Sequence, residues 1–564
     1  MPASRTPSNT HRAAHPRAWQ PAWVLLAASV WLASIANAAL WRALAALPEL
    51  GNGRGLAFGI GFGLMLAAAH VALLSLLNWR WTLKPALTLW LLAAAGGAYF
   101  MLSYGVVIDR TMMVNVLLTD TREARELLSW RLAGALLLLA GLPLTLLWRT
   151  PLRWPGLGRQ AGRNALLFSA SCAVLAGTGG LFFQDLSATM RNHTQLRYLI
   201  NPLNTFYALA SVGRQPIQRS GVAVAPLGED AHLATAAAGA RPPLVVMVLG
   251  ETARADHLGL NGYARDTTPR LAQQQVVSLR NVWSCGTNTA ASVPCMFSHL
   301  GREAFENRSA NTEGLVDVLQ RAGLAVLWLD NQPGGCKGVC DRVPRVDHRQ
   351  LQAATPELCQ DGECFDEVMP RGLQARIEQL PAERRARGVV VFMHQMGSHG
   401  PAYYKRTPAA FKKFMPECAT NALQQCPREQ VVNAYDNTIL YTDHFLAATI
   451  DWLKAQEAQW APALEYVSDH GESLGESNLY LHGLPYRFAP DTQKHVPWIV
   501  WLSPAFERQS GIRLSCLAGR RDQKFSHDDY FHSTLGLLGV QTKVYDAARD
   551  IHAACPGSSE RARV

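Results

Sequence analysis

Five apolar stretches fill the first third of the chain, at residues 22–42, 55–78, 85–108, 131–148 and 164–184. Each approaches or exceeds the ~20 residues that a helix needs to cross the hydrocarbon core of a bilayer. Backbone polar groups inside a bilayer must be satisfied within the protein, so these stretches are read as transmembrane helices. The fourth is the shortest and contains Pro143. A membrane helix tolerates such a proline where a neighbour satisfies the carbonyl that loses its donor. No comparable stretch follows residue 190.

Basic residues orient the spans. Arg5, Arg12 and Arg17 precede the first, Arg80 and Lys84 follow the second, and Arg149, Arg153, Arg159 and Arg163 follow the fourth. Short loops rich in Lys and Arg stay cytoplasmic, so these segments share that side. An odd number of spans then puts everything after residue 190 outside. Ala36-Asn37-Ala38 resembles a signal-peptide cleavage site, but the apolar run continues past it, so an uncleaved anchor is expected. The formal charge of +10 over 564 residues comes largely from the cytoplasmic loops. It points to an anionic membrane surface, with no nucleic acid as partner.

The cysteines support the same topology. Of eleven, Cys172 lies in the fifth span and ten follow residue 284. Cys285/Cys295, Cys336/Cys340, Cys359/Cys364 and Cys418/Cys426 form close pairs, which leaves Cys516 with Cys555. An even, clustered set in an exported domain reads as disulfides. The competing zinc cluster would need recurring CxxC pairs, which are lacking. Sequence alone does not fix connectivity, so the five pairings are expectations. An oxidising compartment such as a bacterial periplasm fits.

The expected divisions are a cytoplasmic tail at 1–21, a transmembrane domain at 22–185, a bridging helix and linker at 186–242, a globular domain at 243–556 and a tail at 557–564. Residues 109–130 read as an amphipathic helix at the outer interface. Asn115, Thr119 and Glu123 recur every four residues and so share a face of it; on pattern alone that face is simply solvated. In the globular domain, short apolar runs at 244–249, 325–329, 389–393, 464–467 and 496–502 alternate with helical patterns. Buried parallel strands joined by crossover helices give that pattern. An α/β/α sandwich is expected.

In such sheets ligands bind beyond the carboxyl ends of strands. Leu244–Leu249 is followed by Gly250-Glu251-Thr252, and Leu464–Val467 by Ser468-Asp469-His470-Gly471-Glu472. Val389–Met393 is followed by His394 and then Gly397-Ser398-His399-Gly400-Pro401. Ala325–Leu329 is followed by Asp330 and a Gly-rich loop that ends in Lys337. Glu251, Asp469 and His470 form a hard-to-borderline donor set that suits zinc, with manganese as the alternative. The segment SCGTNTAASVPC, from Ser284 to Cys295, sets two hydroxyls among small residues between two cysteines. Thr287 or Thr289 could cap a helix there. A threonine hydroxyl activated by zinc would instead be a nucleophile toward phosphorus.

GETAR (250–254), CGTNTAASVPCMFS (285–298), KGVCDR (337–342), GSHGP (397–401) and SDHGESLGE (468–476) together resemble the phosphoethanolamine transferases of Gram-negative envelopes. Among these they are similar to the EptA- and MCR-like enzymes that modify lipid A and are linked to polymyxin resistance. The globular part more broadly resembles the alkaline phosphatase/sulfatase superfamily. The resemblance implies that Thr289, not Thr287, is the nucleophile, and that Glu251, Thr289, Asp469 and His470 hold zinc. It places His399 and His482 near the phosphoryl group, where a second zinc could bind. It assigns substrate contact to Lys337, and makes Asn115, Thr119 and Glu123 the site for the donor's ethanolamine end. Residues 330–336 lack the serine that some relatives carry before the lysine, so contacts in that loop stay open.

The implied reaction moves phosphoethanolamine from phosphatidylethanolamine to a lipid A phosphate through a phosphothreonine-type intermediate. It would lower the negative charge of the envelope and favour polymyxin resistance. The enzyme is expected to be a monomer in the inner membrane. The alternatives are a lipopolysaccharide core sugar or a periplasmic glucan as acceptor, transfer of glycerol phosphate, or a non-catalytic lipid sensor on the same fold. His495 could line the site or serve the fold. Asp436, Tyr441 and Asp443 read as helix packing and surface.

Overall fold

The computed structural model describes residues 18–119, 121–213, 221, 223–234, 239–360 and 362–555. They divide into two compact units. One holds residues up to 102 with 130–205; the other holds 103–129 with the chain from 206 onward. In chain order the first helices are α1 (Pro21–Ala45), α2 (Gly53–Leu76), α3 (Leu83–Tyr104), α4 (Arg110–Leu118), α5 (Thr121–Glu126), α6 (Trp130–Arg149) and α7 (Leu157–Leu181). All but α4 and α5 are long and apolar enough to cross a membrane.

The membrane unit turns apolar side chains outward, as a bilayer requires: Leu56 and Ile60 are each 67% exposed and Leu166 70%. Its interior uses buried amides as cross-links, which substitute for the hydrophobic drive that lipid does not provide. Asn37 Oδ1 accepts from Asn201 N at 2.9 Å, and Asn201 Nδ2 donates to the carbonyls of Ala36 and Ala94. The cleavage-like tripeptide is thus a buried bend of α1. At the other end of the bundle, Asn78 Nδ2 donates to Asn164 Oδ1, and Gln160 and Asn164 both donate to the Asn78 carbonyl, each at 2.9 Å. Pro143 leaves the Leu139 carbonyl, four residues back, without its helical donor. Trp31 Nε1 supplies one at 3.1 Å, and the helix runs as a π-turn over Leu137–Gly141.

The second unit is built on an eight-stranded sheet: β1 (Pro243–Gly250), β2 (Val277–Trp283), β3 (Ala325–Asp330), β4 (Arg345–Val346), β5 (Val389–His394), β6 (Ala461–Ser468), β7 (His495–Leu502) and β8 (Lys524–Ser526), in the order β8-β2-β7-β6-β1-β5-β3-β4. β1 pairs in parallel with β5 and β6, whereas β7 runs antiparallel to both β6 and β2. Hydrophobic runs carry no direction, so the reversed β7 was not legible in the sequence. Residues 244–249 are all at most 1% exposed. Val245, Met247 and Leu249 join a core with Val316, Leu319 and Phe531. Val246 and Val248 point to the other face, where the long helix α9 packs on β6; α8 (Thr289–Met296) and α9 (Arg428–Ala455) complete the elements that frame the site. Burial on both faces is worth roughly 1.5–3 kcal/mol per large aliphatic side chain and makes β1 and β6 a stiff platform.

The ten exported cysteines form five disulfides, Cys285–Cys295, Cys336–Cys340, Cys359–Cys364, Cys418–Cys426 and Cys516–Cys555. Residues 109–130 do not form one helix. Thr119 takes an extended conformation at the C-terminus of α4, and α5 begins at Thr121.

Candidate active site

β1 and β6 lie side by side and in parallel, with Gly250 opposite Ser468. The next residues of each, Glu251 and Asp469-His470, therefore emerge at one edge. The turn after β1 is held hard. Thr252 sits at φ +61, a conformation that costs a non-glycine residue of order 1–3 kcal/mol. Its backbone N donates to Asp469 Oδ1 at 3.1 Å, and its carbonyl accepts from Tyr435 Oη on α9 at 2.7 Å. Its hydroxyl donates to Glu251 Oε1 at 2.6 Å. The other oxygen, Oε2, accepts from Gln332 Nε2 at 2.8 Å. Gly397, at φ +51, comes so close that a Cβ there would stand 2.8 Å from the Glu251 carbonyl.

Thr289 opens α8, with Asn288 as its cap: Asn288 Oδ1 accepts from Ala291 N at 3.0 Å. Thr287 Oγ1 donates to the Leu484 carbonyl at 2.6 Å and is occupied there. Thr289 Oγ1 stands 3.2 Å from Glu251 Oε2 and 3.4 Å from His470 Nε2. His527 ties this loop to the sheet. Its Nδ1 accepts from Cys285 N at 3.1 Å and its Nε2 donates to the Ser468 carbonyl at 2.9 Å. Burial pushes that imidazole down to about 3, so it is neutral, as this double bonding requires. The Cys285–Cys295 disulfide closes the same segment.

The donor atoms fit a cation. His470 Nε2 is 3.4 Å from both Glu251 Oε1 and Asp469 Oδ2. Ligands about 2.0–2.1 Å from a tetrahedral zinc stand about 3.3 Å apart, close to these separations. Asp469 Oδ2 is buried and accepts no hydrogen bond, as an oxygen reserved for a metal would. Burial drives the Asp469 carboxyl up, reinforced by the charge of Glu251. Burial opposes ionisation of Glu251 too, but the His470 hydrogen bond and charge overcome it and hold that carboxyl low. Two carboxylates against one imidazole call for further positive charge. Among the described residues a second grouping of ligand types, Asp330 with Cys336 and Cys340, is closed by the Cys336–Cys340 disulfide.

The His470 and His482 rings are 4.3 Å apart between centroids, and His399 lies 6.1 Å beyond His482. His482 Nδ1 bonds to Glu472 Oε2 at 3.1 Å. Lys337 is nearly buried at φ +51, on the loop that carries Gln332. Asn115 and Thr119 lie on α4 and at its end, half-buried, and α4 packs against α8. Glu123 falls in α5, and its side chain lies outside the described residues. α5 is anchored by Arg406, whose Nη2 reaches Glu126 at 2.6 Å, Nη1 Glu363 at 2.5 Å, and Nε the His399 carbonyl at 3.0 Å. His495 stacks on Trp283 and bonds to the Arg280 carbonyl at 2.6 Å. Asp436 binds His257 Nδ1 at 2.6 Å, Tyr441 Oη donates to Glu367, and Asp443 accepts from the backbone of Arg270 and Leu271. These are packing contacts of α9. Gln332, Arg406, Tyr435 and His527 stand in no metal-ligand or nucleophile pattern, so their roles show only through their contacts.

Residues 243–540 match the Sulfatase family model, and residues 66–217 match the model described as phosphoethanolamine transferase EptA/EptB. Phosphoethanolamine transferase EptA of Salmonella typhimurium (strain LT2) is 40% identical over 556 residues, 96% of this chain and 98% of the relative. Phosphatidylethanolamine transferase Mcr-1 of Escherichia coli is 35% identical over 93% of this chain and 96% of its own length. The solved integral membrane lipooligosaccharide phosphoethanolamine transferase A of Neisseria meningitidis superposes with a TM-score of 0.88 at 32% identity, covering 95% of this chain and 99% of that one. A strained, buried site at the strand ends, five membrane helices and these likenesses lead to one conclusion: the chain belongs to the EptA family of phosphoethanolamine transferases, integral membrane enzymes of the sulfatase superfamily with a periplasmic catalytic domain.

Proposed function

We propose that this enzyme takes phosphoethanolamine from phosphatidylethanolamine and delivers it to a phosphate of lipid A, with Thr289 as the carrier. The observation that carries the reading is the position of Thr289 Oγ1, 3.2 Å from Glu251 and 3.4 Å from His470 at the head of α8. Zinc bound by Glu251, Thr289, Asp469 and His470 would supply positive charge for the phosphoryl oxygens and lower the pKa of the threonine hydroxyl; a second ion could lie by His399 and His482. In the first displacement, Thr289 Oγ1, its proton released to solvent, forms a bond to the donor phosphorus and the bond to the diacylglycerol oxygen breaks. That oxygen leaves with a proton from His399 or His482. Glu472 engages the Nδ1 edge of His482 and so orients the ring. In the second displacement, an oxygen of the acceptor phosphate attacks, and the Thr289 oxygen leaves and regains a proton.

Lys337 neutralises a phosphoryl oxygen. Asn115, Thr119 and Glu123 receive the ethanolamine end, Glu123 through its carboxylate. The packing of α4 against the helix headed by Thr289 supports that division of labour. Transfer to lipid A would lower the negative charge of the outer surface and weaken its hold on cationic polymyxins.

Intact-mass measurement tests the reading. The full-length enzyme incubated with phosphatidylethanolamine should gain one phosphoethanolamine, mapped to Thr289 and absent from Thr289→Ala. Adding lipid A should discharge it. Discharge only by a core oligosaccharide or a periplasmic glucan would replace the acceptor. An adduct from phosphatidylglycerol alone would replace the donor, and a zinc-loaded, folded enzyme giving neither adduct nor product would overturn the reading.

A further inference from the structure

The cytoplasmic end of the membrane unit holds a cleft of about 610 Å³ between the start of α3 and the end of α6. Arg80, Lys84 and Arg149 line it together with Trp81, Trp148 and Trp154. Its charge is uncompensated by sequence. No Asp or Glu occurs before Glu49, between residues 50 and 108, or between 130 and 184. Asp185, the next acid, pairs with Arg54 beside the opposite end of α2. Among the described residues neither Arg80 nor Arg149 makes an ion pair, and the chain before α1 adds only further arginines.

The three cations differ in use. Lys84 Nζ donates to the carbonyls of Trp148 at 3.3 Å and Thr150 at 3.1 Å. It closes the C-terminal end of α6, where unpaired carbonyls and the helix dipole favour a cation. Arg80 lies over the Trp81 ring, 4.8 Å from its centroid, a contact that leaves the guanidinium's in-plane donors for other partners. Planar forks of this kind match the oxygens of a phosphodiester. The tryptophans lie where indole rings favour the glycerol and headgroup level of a bilayer, and basic pockets between helices on this face suit anionic headgroups.

We propose that this cleft binds the headgroup of an anionic glycerophospholipid from the cytoplasmic leaflet, with Arg80 and Arg149 on its phosphate. The site would discriminate against the enzyme's own class of donor. An ethanolamine ammonium would enter a cleft with three cations and no carboxylate, whereas a glycerol headgroup meets no such repulsion. The lipid would bridge the cytoplasmic ends of α3 and α6 on the side of the membrane away from the chemistry. The inference does not depend on which acceptor the enzyme uses.

The test uses the full-length enzyme in detergent, stripped of lipid, with phosphatidylglycerol added. Native mass spectrometry should retain phosphatidylglycerol over phosphatidylethanolamine, and the lipid should raise the unfolding temperature. The Arg80→Gln/Arg149→Gln pair should bind it about thirtyfold more weakly, from a loss of about 1 kcal/mol per charge at an anionic surface. Arg80→Lys/Arg149→Lys should recover part of the loss. Arg159→Gln/Arg163→Gln removes equal charge from the same side outside the cleft and should bind normally, and all three variants should keep transferase activity. Equal retention of both lipids would overturn the proposal. So would equal losses in the two Gln pairs, which would mean diffuse attraction, or full protection by inorganic phosphate alone, which would mean a free-anion site.

Discussion

Gln332 is the side chain whose loss should show most directly at the metal. Its amide is the donor that holds Glu251 Oε2, while Thr252 holds Oε1, so the carboxylate is gripped on both oxygens. Partners that orient a metal ligand typically contribute 10–100-fold in affinity. Gln332→Ala should therefore release zinc about tenfold more readily in competition with a chelator, with the fold intact by circular dichroism. Unchanged zinc affinity would make the contact incidental. Asp443 offers a separate test of burial. Its carboxyl is pushed up to about 6 by desolvation, against two backbone N–H donors that favour its charge. A folded pKa above the unfolded value means that the folded state holds a proton the unfolded state has released. The resulting stabilisation is full below about pH 4 and is lost as pH rises through about 6. Asp443→Asn should thus lose less stability between pH 4 and 7 than the parent, by about 2 kcal/mol. Parallel pH curves for the two would contradict the shift.

At the scale of elements, Arg406 joins three segments that are distant in sequence. It holds Glu126 of α5, Glu363 beside the Cys359–Cys364 disulfide, and the carbonyl of His399. Its side chain is 3% exposed and that of Glu126 7%, so the charges lie in a poorly screened setting. Burial alone would lower the pKa of the guanidinium, but the two carboxylates raise it instead. Removing one partner from a buried charged pair costs about 3–5 kcal/mol, because the other charge is left unmatched. Arg406→Ala should lower the unfolding free energy of the catalytic unit by about that amount. A triple change of Arg406→Met with Glu126→Gln and Glu363→Gln should recover much of it. If the single and triple variants are equally unstable, packing rather than charge is the cause. The break at Thr119 belongs to this scale as well. A four-residue spacing describes a shared face only while one helix continues, and α4 stops at Leu118.

Across the whole molecule, membrane and periplasmic units follow different solvents. The membrane unit exposes apolar faces and buries amides such as Asn37, Asn201 and Asn164. The periplasmic unit buries apolar strands and is cross-linked by five disulfides. The cytoplasmic cleft extends this logic, since charge that the protein leaves unmatched on one face of the membrane can be matched by the lipid.

The spans, their orientation and the gathering of Glu251, Asp469 and His470 at the strand ends were legible in the sequence, because each rests on local chemistry. Twenty apolar residues have few other destinations, basic loops stay inside, and carboxylates and imidazoles cluster where strands end. Four disulfide pairs could be anticipated from close spacing, whereas Cys516 and Cys555 were left by elimination, are 39 residues apart and met only through folding. Tertiary structure alone decided the direction of β7 and the grips of Gln332, His527 and Arg406. The reason is physical: a hydrogen bond across hundreds of residues depends on where two backbones cross, and a side chain's identity records what it can donate or accept, not which partner it reaches.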